Sequence, residues 1–336
     1  MRIRRAAVAQ FFCRCNLLTC LFSRAAGRLI VLGYHRIRPD DPDFSSPFDD
    51  FVFGPTASQF AAQLRWLKAH AELLSETDLL DCIKSRSMHP KPSVLLTLDD
   101  AYRDNYSIAL PILKDLDIPA IFFVSTHQIL SRELGAWDII AYLIKQTSKQ
   151  YLRVDGHSFS LRDGRTTAIR FFQTRIKTLG YTHTNALLSA LQEACDVALP
   201  DSATQDRELM SWDEIIEVSK ANVAIGSHTH THRPLAQLDA ASQNQEMSKS
   251  KLLLEEKTGR RVLSIAYPFG GHEHFTMETQ DIARQCGYEF GFSYGTGINR
   301  WTTVSTHNIR RVAAPADLCS LMVRVVRRGV FWLRRP

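Results

Sequence analysis

Between Leu29 and Val312 the chain repeats one motif: a short apolar run, a polar punctuation, then apolar positions at helical spacing. Strand-length apolar runs occur at 29–33, 94–98, 120–124, 223–226, 262–266 and 290–293, with a weaker one at 71–75. Helical spacing follows at 56–70, 76–85, 103–116, 211–220, 239–257 and 277–286. Thr56 or Ser58 suits the first N-cap, and Ser211 with Glu214 forms a capping box. Pro111 implies a kink or boundary, and Gly259 and Gly287 stop the helices before them. Runs buried on both faces, alternating with amphipathic helices, imply parallel strands joined by helical crossovers. About seven such units suit a closed barrel better than an open sheet.

Two stretches break the rhythm. Residues 38–55, rich in Pro, Asp, Ser and Phe, read as a long loop. Residues 131–210 read as a mainly helical insertion with its own small apolar cluster, carrying helices near 139–145, 168–179 and 186–194. Within it, 151–161 alternates and turns at Asp155-Gly156, the signature of a hairpin. Thr306 to Val312 reads as extended chain or loop, and 317–333 as a final basic amphipathic helix.

Charge divides the chain differently from hydropathy. The net charge is +6, yet residues 1–28 carry six Arg and no acid, and 318–336 carry five Arg and no acid. The body at 29–317 is left with 30 basic and 35 acidic residues, a net of −5. An acidic body excludes nucleic acid as its partner. The basic ends suit peripheral contact with an anionic membrane, although a final helix docked on the barrel with a solvated basic face is the competing reading. Arg14 interrupts the apolar stretch Ala6 to Phe12, which favours an amphipathic anchor or plain helix over a cleaved signal. No apolar run is long enough to span a bilayer. Seven irregularly spaced Cys point to a reducing compartment. The expected location is cytoplasmic, at most peripheral on the inner membrane, with secretion ranked lower.

Chemistry concentrates directly after strands. Asp99-Asp100 ends the run Val94 to Leu98. His228-Thr229-His230-Thr231-His232 follows 223–226, and Tyr267-Pro268-Phe269-Gly270-Gly271 follows 262–266. Parallel barrels gather their sites at the C-terminal ends of strands, so these three segments should meet. Clustered imidazoles with a carboxylate suit a zinc-type metal.

Thr97-Leu98-Asp99-Asp100-Ala101 and His228-Thr229-His230-Thr231-His232 resemble, in order, the first two motifs of the polysaccharide deacetylases of the NodB-homology type, carbohydrate esterase family 4. Tyr34-His35-Arg36-Ile37, Trp137-Asp138 and Trp212-Asp213-Glu214 resemble the exopolysaccharide-associated members. The resemblance implies a deformed (β/α)7 barrel over 29–317, with the insertion at 131–210. It implies Asp99 as general base and Asp100, His228 and His232 as ligands of a divalent metal, zinc first, with cobalt or nickel as alternatives. His230 becomes a neighbour on the substrate side. The backbone N–H near Phe269 would hold the oxyanion. Tyr267, Pro268 and Phe269 would wall a sugar groove, with plain core packing as the alternative for the two aromatics.

Three departures qualify the resemblance. Ala101 stands where the family has Gly, so the turn must tolerate a Cβ. The third-motif Arg is Ala266, and Arg311, preferred to Arg310, is expected to replace it. No motif supplies the general acid, and His307 is the nearest candidate. The expected activity is hydrolytic removal of acetyl groups from an N- or O-acetylated glycan or its lipid-linked precursor. The alternatives are deformylation or deacylation of a lipid-linked sugar, and glycan binding without turnover.

Overall fold

The computed structural model describes residues 17–85, 89–295 and 299–329. In chain order the strands are β1 (Arg28–Tyr34), β2 (Arg36–Arg38), β3 (Phe53–Thr56), β4 (Glu72–Leu73), β5 (Ser93–Leu98), β6 (Ala120–Val124), β7 (Tyr151–Val154), β8 (His157–Ser160), β9 (Val223–Ser227), β10 (Ser264–Ala266), β11 (Phe290–Ser293), β12 (Asn299–Arg300) and β13 (Ile309–Ala313). Seven of them form a closed parallel ring in the order β1, β5, β6, β9, β10, β11, β13, and β13 returns to β1. Outside the ring, β4 runs parallel to β5 and β12 lies antiparallel along β1.

Every residue of β5 and β6 is buried, which explains why they read as unbroken apolar runs. Alternate side chains still go to different places. Leu29, Val31, Leu95, Ile121, Phe123, Phe292 and Ile309 share one cluster, the barrel interior. Ile30, Leu32, Val94, Leu96, Phe122 and Val124 join the larger cluster beneath the helices. Each such fully buried side chain contributes about 1.5–3 kcal/mol of transfer free energy. The same alternation separates the two neighbouring arginines of β13: Arg310 is exposed and Arg311 is buried.

Helix boundaries follow the local signals. Thr56 caps the helix Ala57–His70 in a reciprocal box with Gln59, and Ser211 does the same with Glu214 for Trp212–Ser219. Pro111 marks a boundary, sitting in the first turn of Leu110–Asp115 directly after a π-turn over Asn105–Ala109. Inside the expected 38–55 loop, β3 forms and pairs in parallel with β2, pinning both ends of the loop.

The helices Ala136–Gln146, Arg165–Ile176 and Tyr181–Cys195 pack on one another with the hairpin β7–β8. Their buried side chains, including Ile140, Phe172 and Leu191, are continuous with the cluster outside the barrel, not a separate small core. This places the far end of Arg165–Ile176 over the mouth of the barrel.

The basic C-terminal helix, Leu318–Gly329, buries Leu321, Met322, Val325 and Val326. It packs against Leu17–Ser23, Ala57–His70 and β1. Its apolar face is therefore taken up by the protein itself and is not free to enter a bilayer. The expected N-terminal anchor at residues 6–12 lies outside the described residues. Among the described residues, no helix is long and apolar enough to cross a membrane.

Candidate active site

The C-terminal ends of the barrel strands open into a cleft of about 310 Å³, lined by His35, Asp99, Asp100, His228, His232, Tyr294 and neighbouring side chains. Each of these residues follows a strand or the turn after it. His35 comes after β1, the two Asp after β5, the His pair after β9 and Tyr294 after β11. Left-handed backbone is concentrated here. Asp100 (φ 71°), Ala101 (φ 54°), Thr229 (φ 63°), His232 (φ 55°) and Phe269 (φ 60°) all adopt it without being glycine. Each costs on the order of 1 kcal/mol, and the surrounding packing holds them in place. At Ala101, then, the turn is the one a glycine would favour.

Asp100, His228 and His232 converge as a group that could hold a metal ion. Asp100 Oδ1 lies 3.5 Å from His228 Nε2 and 3.3 Å from His232 Nε2. One ligand atom from each lies within 4.8 Å of the others, and all three residues are buried. Bonds of 2.0–2.1 Å to a tetrahedral ion place ligand atoms about 3.3 Å apart. Asp100 Oδ1 is buried without a hydrogen-bond partner, as expected of an atom that serves a cation. His228 donates Nδ1–H to the Ala266 carbonyl at 2.7 Å, which leaves the Nε2 lone pair facing Asp100. The residues therefore fit a divalent metal of the zinc type. Burial works to raise the Asp100 carboxyl, but the closeness of His232, then of His35 and His228, holds it well below the usual range. Burial, then the neighbouring His232, pushes His228 down to about 4, which keeps it neutral and able to ligate.

Asp99 is held differently. Arg311 donates Nη1–H to Asp99 Oδ1 at 2.6 Å and to Thr97 Oγ1 at 3.2 Å. The Arg311 guanidinium lies 4.2 Å from the Tyr294 ring centroid, and Tyr294 Oη donates to Asp99 Oδ2 at 3.4 Å. Burial works to raise the Asp99 carboxyl, Arg311 and then His228 and His35 work to lower it, and the net direction is down. Two glycines admit Tyr294. A Cβ on Gly33 would lie 2.1 Å from its hydroxyl, and one on Gly270 (φ +68°) would lie 2.6 Å from its backbone nitrogen.

The insertion roofs the cleft. Trp137 packs against His232 with ring centroids 4.5 Å apart. Its Nε1–H donates to Tyr102 Oη at 2.7 Å, and Tyr102 Oη donates to Asp138 Oδ2 at 2.6 Å. Burial pushes the Asp138 carboxyl up to about 7 despite Arg36. Gln173 ties the insertion to the 38–55 loop by donating to Asp49 Oδ2 at 2.9 Å.

The other expected site residues divide. Phe269 lines the cleft, its ring 5.1 Å from that of His232, and its N–H finds no acceptor among the described residues. Tyr267 does not wall the cleft. It is fully buried, stacked on Phe275, and donates to the His307 carbonyl at 2.9 Å. Pro268 is buried and lies outside the cleft lining. His230 also points elsewhere, with Nδ1 2.9 Å from Thr126 Oγ1 and its ring against His127. His307 precedes β13 and so lies at the opposite end of the barrel, its ring nitrogens engaged by Thr306 and the Tyr288 carbonyl. It cannot serve this cleft.

The sequence motifs assign no role to His35 or Tyr294. His35 Nε2 lies 3.8 Å from Asp99 Oδ2 and a third of its side chain is exposed. Both follow apolar runs directly, the same signal that marked Asp99 and His228.

The comparisons agree with this architecture. The poly-β-1,6-N-acetyl-D-glucosamine N-deacetylase of Staphylococcus epidermidis is 33% identical over 129 residues, covering 36% of this chain and 44% of that protein. The protein of the same description from Staphylococcus aureus is 33% identical over 119 residues, covering 33% and 41%. The matched segments thus span less than half the length of these relatives. Among solved structures, the Streptococcus pyogenes deacetylase PplD in complex with acetate superposes with a TM-score of 0.59 at 17% identity, covering 89% of this chain and 98% of that one. IcaB from Ammonifex degensii gives 0.55 at 19% identity, covering 89% and 97%, and both carry the same fold. The family described as polysaccharide deacetylase matches residues 86–291, from before β5 to within β11. The chain belongs to the polysaccharide deacetylase family.

Proposed function

We propose that the protein hydrolyses the N-acetyl groups of a β-1,6-linked N-acetylglucosamine polymer with the help of a divalent metal, zinc in the first instance. One observation carries this reading. A buried Asp–His–His set and a separately anchored carboxylate, Asp99, face the same cleft from the ends of β5 and β9. The substrate class follows the printed activity of the staphylococcal relatives.

Asp100, His228 and His232 would hold the metal, which when bound supplies Lewis acidity for the acyl carbonyl and the attacking water. Asp99, kept ionised by Arg311, accepts the proton of that water as its oxygen attacks the acyl carbon. The Phe269 N–H is available to the developing oxyanion. His35, on the open side of Asp99, donates a proton to the sugar nitrogen as the C–N bond breaks, leaving acetate and a free amine. Trp137 and Phe269 exclude water around His232.

The test is acetate release from β-1,6-linked N-acetylglucosamine oligomers. Chelator-treated protein would be compared with and without added Zn²⁺, Co²⁺ or Ni²⁺, alongside Asp99→Asn. Metal-restored release that Asp99→Asn abolishes is expected. Release that persists in the chelator, or none under any condition, overturns the reading.

A further inference from the structure

The two histidines of the Asp–His–His set are aimed by different means. His228 gives its Nδ1–H to the Ala266 carbonyl, whereas His232 Nδ1 has no hydrogen-bond partner among the described residues. A metal-ligating imidazole is usually oriented by a hydrogen bond to its second nitrogen. The His232 ring is oriented instead by its backbone and by the Trp137 ring packed on it. That backbone is strained, since Thr229 (φ 63°) and His232 (φ 55°) are both left-handed, and such turns persist only where the surroundings hold them.

The helix Ala240–Thr258 supplies the hold. Its Glu246 is 7% exposed and accepts twice from Thr231, the residue directly before His232. The Thr231 N–H donates to Oε2 at 2.7 Å and the hydroxyl to Oε1 at 2.5 Å. Hydrogen bonds to a carboxylate are the strong kind, and a carboxylate can accept from both donors at once. Ser250 lies one turn further along the same helix face. It accepts from Ser227 Oγ at 2.9 Å, and Ser227 Oγ accepts from the Thr229 N–H at 3.1 Å. Thr229 Oγ1 then accepts from the His232 N–H at 3.1 Å. One helix face thus grips the histidine segment on both sides of His228 to His230. Glu246 itself lines neither the cleft nor the neighbouring cavity.

We propose that Glu246 is a positioning residue for the metal centre, setting the direction of His232 through Thr231. The inference rests on the reading of Asp100, His228 and His232 as metal ligands. Glu246 touches neither metal nor substrate. It acts by keeping His232 Nε2 at 3.3 Å from Asp100 Oδ1.

The test is the zinc affinity of the full chain, read by competition against a chromophoric chelator, for the native protein, Glu246→Leu, Glu246→Gln and Thr231→Val. Leucine fills the space and accepts nothing, so zinc binding should weaken about 10-fold or more. Glutamine can accept the Thr231 N–H through its carbonyl and donate to the hydroxyl, so it should recover most of that loss. Thr231→Val removes the hydroxyl donor alone, should weaken binding by a smaller factor, and decides the matter if Glu246→Leu does not fold. A lower urea midpoint of zinc-free Glu246→Leu with native zinc affinity would make Glu246 merely structural and overturn the proposal. Glutamine as weak as leucine also overturns it, because the carboxylate then acts by charge. A native chain that binds no Zn²⁺, Co²⁺ or Ni²⁺ removes the metal reading and this inference together. Native-like affinity in both Glu246→Leu and Thr231→Val removes this inference alone.

Discussion

Arg311 Nη1 meets Asp99 Oδ1 at 2.6 Å with both side chains shut away from solvent. A carboxylate in such a place stays charged because its partner is there. Arg311→Met would leave the charge buried and alone. The expected loss is about 3–5 kcal/mol of unfolding free energy, together with acetate release. Arg311→Lys keeps the charge but not the flat guanidinium over the Tyr294 ring, and should retain more stability than activity. Urea unfolding and kcat measured on the same preparations check the pair. Native stability in Arg311→Met would contradict the assignment.

Asp99 and Asp100 are adjacent, yet their losses should differ in kind. Asp100→Asn, like His228→Gln, should weaken metal binding by at least about 10-fold. Asp99→Asn should bind metal as the native chain does and lose turnover by about 10²–10⁴-fold. Competition against a zinc chelator, paired with acetate release, separates them. Equal metal affinities in all three variants would remove the ligand assignment.

His35→Gln keeps a polar side chain at the mouth of the cleft but cannot pass a proton to the leaving amine. A fall in kcat of about 10²-fold with little change in KM is expected. A KM effect alone would mean that His35 only positions the sugar.

Glu76 gives a pH signature far from the cleft. It accepts from Ser264, and burial pushes its carboxyl from 4.5 up to about 7, with Ser264 and Lys251 opposing. A raised carboxyl means that the folded protein holds a proton the unfolded chain has released. Stability is therefore full below pH about 4.5 and declines as pH rises to about 7, by up to about 3 kcal/mol. Glu76→Gln should match the native protein at pH 4 and exceed it at pH 8 in denaturant midpoint. A constant difference across that range would rule this out.

Ala101 holds φ at 54° in the turn directly after Asp100. Ala101→Gly should raise stability by up to about 1 kcal/mol, since glycine enters this region without the Cβ penalty. A lower Tm would show that packing of the buried methyl outweighs the relieved strain.

The barrel strands were legible wherever burial on both faces produced an unbroken apolar run, as in Ala120–Val124. β13 was not, because two arginines interrupt it and only their alternation tells which one enters the barrel. That one ambiguity also hid the position of His307. Until β13 is recognised as a strand, the residues before it cannot be assigned to the far end. β2 and β3 escaped notice because their sequences, Arg-Ile-Arg and Phe-Gly-Pro-Thr, carry no apolar period. Tyr267 and Phe269 flank the same proline, yet one is core and the other lines the cleft. The left-handed turn at Phe269 separates them, and aromatic character could not reveal it. Tyr294 carried the strand-end signal but belonged to no recognised motif, and His35 stood in Tyr34-His35-Arg36-Ile37, a resemblance that assigned it no role.

The ring closes through its first and last strands, since β1 is gripped on one side by β5 and on the other by β13. Asp99 is thus synthesised and placed more than two hundred residues before the arginine that neutralises its surroundings. A nascent chain that has made β5 but not β13 holds an open sheet with nowhere dry to put that carboxylate. Barrel closure and assembly of the Asp99–Arg311 pair are one event, so protection of the β5 and β13 amides against hydrogen exchange should appear together during refolding.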